Sequence, residues 1–280
     1  MNCKKYLLVP AFLMMLAATP AAAQLYLGFS AGYGLPANRM WLGTNVEDNG
    51  SVETYEVVNS SLGQGLQAGL FIGSMTNNNV GLELGLSYLQ GAGVMIRYTD
   101  NAGGLVVNEE RVLMGRMIRV VPGLRFTTGA GDVRPYGRAG LILGVGGKVI
   151  EELEGTYTAG GVTDVEEYVF EEYGGFSVGF SGAAGVNFQA SDRLSLFAEL
   201  GLVYQNWAPE KGRFTKYTIN GADALGGMTT SEKEVDYVNE LTVSGSAPPA
   251  GNPDEQLKIF RPFSSAGVNL GLVLHFGSVE

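Results

Sequence analysis

Apolar residues alternate with small or polar residues along most of the chain, and helical periodicity is nearly absent. In residues 80–91, for example, apolar side chains occupy every second position from Val80 to Tyr88. Eight such segments occur, and each is long enough for the roughly 9–11 residues of a tilted transmembrane strand. The segments are 25–34, 62–73, 80–91, 112–126, 135–147, 175–189, 194–207 and 263–276.

The face opposite the apolar stripe distinguishes a membrane strand from a strand of a soluble sheet. A soluble sheet turns that face toward water and fills it with polar and charged residues, whereas here it is mostly Gly, Ser, Asn and Gln. Large aliphatic residues on one face and small or polar residues on the other are typical of barrels that face lipid. The pattern predicts an all-β fold, a closed antiparallel transmembrane β-barrel of eight strands joined as an up-and-down meander.

The connections between the segments alternate in length. The short connections hold four to eight residues, and transmembrane barrels have short periplasmic turns and long extracellular loops. The long connections are therefore expected outside the cell, with a mobile tip at the Pro-, Gly- and Ser-rich residues 244–256. The four long connections are 35–61, 92–111, 148–174 and 208–262.

Two features strain the eight-stranded pattern. Pro122 lies inside the fourth segment, where a closed barrel offers no free edge, so a bulge or local break is expected there. The phase of Arg116 and Arg119 is uncertain for that reason. In the connection 208–262, "RFTKYTING" and "KEVDYVNELTV" are interpreted as a hairpin that extends above the membrane. A ten-stranded barrel that uses them is the alternative, but their faces are too polar for lipid.

The N-terminus has the organisation of a secretory signal peptide. Lys4 and Lys5 precede an apolar run, and Ala21-Ala22-Ala23 supplies the small residues of a cleavage site. The chain is therefore expected to comprise a signal peptide, residues 1–23, and an outer-membrane β-barrel, residues 24–280.

Charge is scarce and mainly negative. Charged residues make up 16% of the chain, whereas a surface surrounded by water carries about 25–35%. Loss of Lys4 and Lys5 with the signal peptide changes the formal net charge from −10 to −12. An acidic chain of this kind does not bind nucleic acid by neutralising phosphates. The one cysteine, Cys3, is lost as well, so no disulfide or cysteine metal site is expected.

Aromatic residues on the outward phase cluster near the strand ends. Two such groups at opposite ends of the strands fit the aromatic girdles of a bilayer-spanning barrel. The predicted girdles are Tyr33, Tyr88, Phe176 and Tyr204 toward the long connections and Phe126, Phe188 and Phe276 toward the short turns.

Few charges fall on the inward phase, and they nearly balance. Glu83, Arg125 and Arg138 lie on three consecutive segments near the same end, so their side chains are expected to meet. An eight-stranded barrel is just wide enough to be filled by side chains, and buried charges there are expected to be paired. The set is interpreted as a structural polar network, with an ion-conducting gate as the alternative. It comprises Glu83, Arg119, Arg125, Arg138 and Glu199, with Arg116 near the outer rim.

The sequence gives little support to enzymatic chemistry. A hydrolase or acyltransferase usually needs a histidine base, and the single histidine, His275, falls at the periplasmic end of the last segment. Chemistry on outer-leaflet lipid needs a base at the opposite end, so His275 is interpreted as a polar residue of the lumen or rim. We therefore expect no enzymatic activity, no cofactor and no metal site.

Four pairs of adjacent glutamates occur in the long connections. None has the spacing of a calcium-binding loop, so they are interpreted as solvated loop faces. Weak divalent-cation bridging to lipopolysaccharide is the alternative. The pairs are Glu109-Glu110, Glu151-Glu152, Glu166-Glu167 and Glu171-Glu172.

The chain resembles the small eight-stranded outer-membrane barrels, the OmpA/OmpX-like group known as the outer membrane protein β-barrel domain. The signal peptide, the opening strand "LYLGFSAGYG" and the closing strand "AGVNLGLVLHF" carry this resemblance, which extends over residues 24–280. The resemblance implies that the barrel-assembly machinery reads an aromatic residue at the end of the last strand. Phe276 occupies that position, although four residues follow it.

These observations predict a non-catalytic integral protein of the bacterial outer membrane with a filled lumen. Its acidic loops, 35–61, 92–111, 148–174 and 208–262, are expected to serve adhesion, ligand binding or envelope integrity. The expected partners are outer-membrane lipid and lipopolysaccharide, the barrel-assembly machinery and an extracellular ligand, and the protein is expected to be a monomer. The alternatives are a narrow pore for ions or very small solutes and a secreted soluble β-barrel or sandwich.

Overall fold

A computed structural model describes residues 24–128, 131–242 and 249–276. These residues form β-strands almost throughout, with a single 3-10 turn at Leu225–Gly227 and one short α-helix, α1, at Thr230–Lys233. The predicted all-β class is confirmed. Within this part of the chain, no helix has the length and apolar character needed to span a bilayer. The predicted signal peptide lies outside the described residues.

The described residues contain seventeen strands, more than the eight predicted. The additional strands lie in the connections that were predicted to be loops. In chain order the strands are β1 (Gln24–Pro36), β2 (Met40–Asp48), β3 (Glu53–Ser60), β4 (Gly65–Met75), β5 (Val80–Gly91), β6 (Val94–Ala102), β7 (Leu105–Thr127), β8 (Val133–Ala159), β9 (Val162–Tyr173), β10 (Ser177–Ser191), β11 (Leu194–Trp207), β12 (Lys211–Ile219), β13 (Ala222–Asp223), β14 (Glu234–Val238), β15 (Asp254–Leu257), β16 (Arg261–Pro262) and β17 (Ser265–Phe276).

Eight long strands pair antiparallel, each with the next, in the order β1, β4, β5, β7, β8, β10, β11, β17. β17 also pairs with β1 over twelve positions, from Leu25 opposite Phe276 to Pro36 opposite Ser265, so the pairing forms a ring. Each strand of the ring overlaps one of the eight apolar segments. β5 and β11 match their predicted segments residue for residue.

The alternation along each ring strand places small or polar residues inside and apolar residues outside. On β11, Leu196 and Leu200 are exposed on the outer face, whereas Phe197 between them is buried. Glycines on the inner face make room for the large rings that fill the lumen. A Cβ atom at Gly28 would lie 2.1 Å from the ring of Phe71, so no larger residue fits there.

A second sheet extends from the ring at the end of the long connections. β3, β2, β6, β7, β8, β9, β12, β14 and β15 pair in that order, with β2–β6 and β14–β15 parallel. β7 and β8 belong to both sheets because they run for 23 and 27 residues, well beyond the ring. We call the part beyond the ring the outer sheet. It consists of β2, β3, β6, β9, β12, β14 and β15 with residues 105–115 of β7 and 149–159 of β8.

The outer sheet corrects the prediction that the long connections are loops, although the hairpin interpretation of 208–262 agrees with the antiparallel pairing of β12 and β14. Its strands carry charges on both faces, so they lack the apolar stripe that marked the ring strands, but they are rich in Val, Thr and Tyr, which favour strands. The segment 244–256, predicted as a mobile tip, includes the start of β15, and its residues 244–248 lie outside the described residues. The ten-stranded alternative is wrong, because β11 pairs directly with β17 and β12 pairs with β9.

Of the bulge or local break predicted at Pro122, the structure has the local break, and a bulge lies nearby on β8. The register between β7 and β8 shifts between Arg116 and Ile118, and Gly146 opposite this point has a φ of 62°, a conformation that glycine adopts freely. Pro122 itself has no partner on β8, but the register is the same on both sides of it. Proline lacks the N–H that the ladder needs, so it interrupts the pairing locally without adding a residue.

Candidate functional site

Glu83 on β5 binds three side chains in the lower half of the lumen, nearer the short turns. Its Oε1 accepts hydrogen bonds from Arg125 Nη1 and from the Tyr26 hydroxyl, both at 3.0 Å. Its Oε2 lies 3.5 Å from Nη1 of Arg138. Glu83 and Arg125 are both buried, so the pair is shielded from water.

Glu199 on β11 completes this group from the opposite wall. Its carboxylate accepts hydrogen bonds from Nη2 of Arg138, from the Tyr136 hydroxyl at 2.7 Å and from Asn269 Nδ2 at 3.0 Å. Arg138 therefore bridges two carboxylates. We call Glu83, Arg125, Arg138 and Glu199 the ion-pair layer; it carries two positive and two negative charges.

Aromatic rings hold the guanidinium groups of the ion-pair layer from the sides. Arg125 lies 4.1 Å from the ring centre of Tyr136, and Arg138 lies 4.7 Å from that of Phe71. Phe71 also makes an edge-to-face contact with Phe197, at 5.9 Å between ring centres. Cation–π contacts stabilise a buried cation without supplying a counter-charge, so both arginines are fixed in position as well as neutralised.

Arg119 on β7 lies apart from the ion-pair layer, in the upper half of the lumen. It is 1% exposed. Its Nε donates to Gln205 Oε1 at 2.8 Å, its Nη2 donates to the backbone oxygen of Phe263 at 3.1 Å, and its Nη1 is 3.5 Å from Gln67 Oε1. No carboxylate of the described residues pairs with it. The five inward charges predicted together therefore divide into a group of four and a single arginine held by neutral acceptors.

An apolar group closes the lumen above Arg119. Trp207 and Phe263 pack edge to face at 5.7 Å, and the indole N–H of Trp207 donates to the backbone oxygen of Gly174 at 2.9 Å. We call this group the outer cap. It comprises Leu62, Leu89, Met117, Trp207 and Phe263, none of which has measurable exposure.

Cavities remain inside the ring on both sides of the ion-pair layer. One of about 140 Å³ lies between the ion-pair layer and Arg119, and Gln67, Ser87 and Asn269 contribute to its wall. The other, of about 320 Å³, lies at the short-turn end and is lined by residues that include Arg125, Arg134 and His275. The ion-pair layer therefore separates a small inner cavity from a larger one near the mouth.

The chain matches the family described as "Outer membrane protein beta-barrel domain" over residues 8–220. The chain belongs to this family. The resemblance inferred from the opening and closing strands is thus confirmed, and family membership supports the outer membrane as its location. Export by a signal peptide stays a prediction.

Solved structures give weaker similarities. Neisserial surface protein A shares 10% identity with a TM-score of 0.34, covering 90% of this chain and 97% of that one. OmpT of Vibrio cholerae in its trimer form shares 9% identity with a TM-score of 0.11, covering 91% and 100% of the two chains. A search of curated proteins finds no match.

In this outer-membrane β-barrel protein, the residues predicted to form aromatic girdles are all exposed. The group near the long connections and the group near the short turns lie on the apolar outer face, with Phe176 just before β10. Arg116 pairs in register with Gln90 and lies on the face of β7 opposite to Arg119. Its Nε is buried and has no hydrogen-bond partner among the described residues. The exposed girdle residues are Tyr33, Tyr88, Phe126, Phe176, Phe188, Tyr204 and Phe276.

His275 faces the lumen near the short turns, where its Nε2 is 3.0 Å from Ser195 Oγ. Phe276, the predicted assembly signal, is the last residue of β17 and is exposed on the outer face. The last four residues lie outside the described part of the chain.

The paired glutamates are not simply solvated loop faces, because each pair lies on a strand of the outer sheet and most members have partners. Glu110 binds Arg97 at 2.9 Å, and Glu171 binds Lys148 at 2.9 Å. Glu172 is buried and accepts two hydrogen bonds from Arg261, at 2.7 and 3.1 Å. Alternation along a strand turns neighbouring acids to opposite faces, so one of each pair can meet a base on the next strand.

Sequence reasoning identified the charged residues of the lumen but missed the neutral ones. Tyr26, Tyr136 and Asn269 bind the carboxylates, and Gln205 binds Arg119. A usable signal was present, since all four lie on the inward phase of their strands. Large or polar side chains at inward positions otherwise rich in glycine mark the places where the lumen is filled.

Proposed function

We propose that this protein is a non-catalytic integral outer-membrane protein whose eight-stranded ring crosses the membrane as a closed barrel. The proposal rests on the contrast between the two sheets. Outward positions of the ring are apolar and exposed, with Leu66 at 64% and Leu200 at 69%, which is stable in lipid and unfavourable in water. The outer sheet carries charges on both faces, which a sheet with one face in lipid does not.

The outer sheet is proposed to bind other molecules at the cell surface. β3 pairs only with β2 in the described structure, so one of its edges has free N–H and C=O groups. Tyr55 and Val57 on β3 are 63% and 57% exposed. An open edge with apolar side chains fits strand addition by an extended segment of a partner. The long connections hold 23 acidic residues against ten Lys and Arg, which favours a basic partner.

A filled lumen is proposed over the alternative of a narrow pore. Ions would have to pass the outer cap, which includes the buried Trp207 and Phe263, and then the ion-pair layer. Each barrier consists of well-packed or hydrogen-bonded side chains that make open water paths costly. A catalytic role is also disfavoured, because His275 contacts Ser195 but no acidic residue orients it in the described structure.

Detergent and gel mobility test the membrane proposal. The protein should require detergent for purification and should migrate differently before and after boiling, because a closed barrel resists unfolding by detergent alone. Purification as a soluble monomer without detergent would favour the secreted soluble alternative instead. Discrete conductance steps in planar bilayers, altered in Glu83→Ala, would favour the pore.

A matched pair of substitutions tests binding through the β3 edge. Val57→Lys places a positive charge on the edge strand, whereas Val162→Lys makes the same change at an exposed valine of the β8–β9 hairpin. Bacteria that display the protein should lose adhesion with the first substitution and keep it with the second. Equal adhesion of the two variants would rule out this edge.

A further inference from the structure

The cavity at the short-turn end is a polar bowl formed by most strands of the ring. Its volume is about 320 Å³, within the usual range of about 300–1,000 Å³ for small-molecule sites. Asn77, Asn78 and Asp132 in the turns are exposed at its rim. The deeper wall comes from inward-facing residues of β7, β8, β10, β11 and β17, including Arg125, Arg134, Asn187, Ser195 and His275.

Two arginines and one histidine, Arg125, Arg134 and His275, lie in this wall. Arg125 uses Nη1 for Glu83, and no partner within the described residues takes hydrogen bonds from its Nη2 or Nε. Arg134 uses Nε for the backbone oxygen of Gly131 and Nη2 for Gln189, which leaves its Nη1. The Nδ1 atom of His275 makes no hydrogen bond to the described residues either.

The bowl has few hydrogen-bond acceptors for these donors. Asp132 is the one acidic residue in its lining, and it forms no ion pair within the described chain. Asn187, which pairs in register with Arg134, has a buried side-chain oxygen that no described residue hydrogen-bonds. A buried polar atom left unpaired costs about 1–3 kcal/mol, and in native proteins most such atoms have a protein or ordered-water partner.

We propose that this bowl binds small molecules bearing an oxyanion, a carboxylate or a phosphate group, from the compartment at the short-turn end. The fork of a guanidinium group matches two oxygens of either anion. Arg125 offers such a fork through Nη2 and Nε, and Arg134 adds a charged donor through Nη1. The side-chain amides of Asn187 and Gln189 and the hydroxyl of Ser195 are suited to the uncharged part of the molecule. The inference rests on the proposed function in one respect only: the proposed membrane orientation identifies this compartment as the periplasm.

The two ends of the protein therefore differ in the partners they attract. The outer sheet is acidic and favours basic partners, whereas the bowl presents arginines and favours acidic ones. The ion-pair layer and the outer cap separate the bowl from the outer sheet. Binding in the bowl thus requires no passage through the barrel.

His275 gives a direct probe, because it is the only histidine in the chain. The full chain, labelled with ¹⁵N-histidine, made without a histidine tag and folded in neutral detergent, is titrated with inorganic phosphate or with succinate at constant pH. Choline chloride at equal ionic strength controls for salt. The imidazole signal should shift and saturate with phosphate, with succinate or with both, and should not respond in this way to chloride.

Matched substitutions locate the site. Arg134→Gln removes a charge-assisted donor and should weaken binding about tenfold or more. Asn187→Asp is an isosteric change that adds a negative charge, so it should weaken anion binding as well. It replaces Arg134→Gln as the test if that variant does not fold. Arg97→Gln makes the same charge change in the outer sheet, where Arg97 pairs with Glu110, and should leave binding unchanged.

Shifts that stay linear and match those in chloride would overturn the proposal, as would equal binding by the wild type and both bowl variants. Heat-dependent gel mobility of each variant shows that the barrel has folded. If the protein proved soluble without detergent, the membrane proposal would fail while the titration still reported on the bowl.

Discussion

Two arginines occupy the same lumen, Arg138 partly buried and Arg119 fully buried, but their hydrogen bonds are satisfied in different ways. Arg138 bridges two carboxylates in the ion-pair layer, whereas Arg119 donates to the amide oxygen of Gln205 and the backbone oxygen of Phe263. Arg138 belongs to a group with balanced charge, and Arg119 keeps an unbalanced charge at 1% exposure. The barrel thus buries charge by pairing in its lower half and by neutral hydrogen bonds in its upper half.

Because the two arginines have different partners, truncating each side chain leaves different groups unpaired. Without Arg138, two carboxylates stay buried near each other with less positive charge between them. Without Arg119, only neutral acceptors lose their donors, and the buried positive charge itself disappears. An unpaired buried charge costs far more than an unpaired neutral group, so the two arginines should contribute very differently to stability.

The largest effect is expected for Arg138→Met. The substitution keeps much of the side-chain length but leaves Glu83 and Glu199 short of a partner, so the free energy of unfolding should fall by about 3–5 kcal/mol. Urea titration in detergent micelles or lipid vesicles measures it. Arg97→Met, which breaks an exposed ion pair of the outer sheet, is the control and should change stability by less than about 1 kcal/mol. An unchanged urea midpoint in Arg138→Met would contradict the structural role of the layer.

A smaller effect is expected for Arg119→Met. Gln205 and Phe263 each lose a hydrogen-bond donor, which should cost about 1–3 kcal/mol, partly offset because no cation remains buried. The same urea titration compares it with Arg138→Met. If Arg119→Met proved the more destabilising of the two, the distinction between paired and neutral burial would be wrong.

The ring could be predicted well from the sequence because its two faces differ sharply. Lipid requires a continuous apolar face and the narrow lumen requires small residues, so β5 and β11 were located to the residue. The partners of Glu83 could also be predicted, since Arg125 and Arg138 lie on the next two strands of the ring at the same end. These inferences need only alternation and the order of neighbouring strands.

The remaining features depend on information that alternation does not carry. Contacts across the lumen, such as that between Tyr26 and Glu83, depend on the relative stagger of strands that are far apart in sequence. Arg119 donates a hydrogen bond to the backbone oxygen of Phe263, and a backbone oxygen leaves no signature in the sequence. The outer sheet was missed because charges on both of its faces interrupt any apolar stripe, and its strands are held by pairing with β7 and β8.

A third arginine site, where Arg261 of β16 meets Glu172 of the outer sheet, extends the comparison. Glu172 accepts two hydrogen bonds from Arg261 and one from the Tyr237 hydroxyl at 3.1 Å. Burial, and then the negative charge of Glu172, raise the pKa of Tyr237, so its hydroxyl stays protonated as a donor. Glu172→Gln should loosen the connection 208–262 by about 1–2 kcal/mol, seen as faster proteolysis there with an unchanged ring. Unaltered cleavage would show that this site does not hold the connection.

The smallest effect is expected where the pair is fully exposed. A hydrogen bond from Lys216, and then its charge, lower the pKa of Glu167. Any stability from this pair is present above the ordinary glutamate pKa and is lost as the pH falls through the lowered value. Because water screens the pair, Lys216→Met should return the Glu167 titration, followed by NMR, toward its ordinary pKa without a measurable change in unfolding. A clear loss of stability would mean that the outer sheet relies on its exposed charges.

Spin-label accessibility tests the contrast between ring and outer sheet most directly. Cys3→Ser removes the one cysteine of the chain, and single labels are then placed along β4 at Leu66, Gln67, Leu70 and Phe71 and on β3 at Val57. In lipid vesicles, labels at Leu66 and Leu70 should be reached by oxygen dissolved in lipid, and those at Gln67 and Phe71 should be shielded. The label at Val57, although the residue is apolar and exposed, should be reached only by a water-soluble nickel reagent. Loss of alternation along β4, or a lipid-exposed label at Val57, would contradict a ring that spans the membrane beneath an outer sheet.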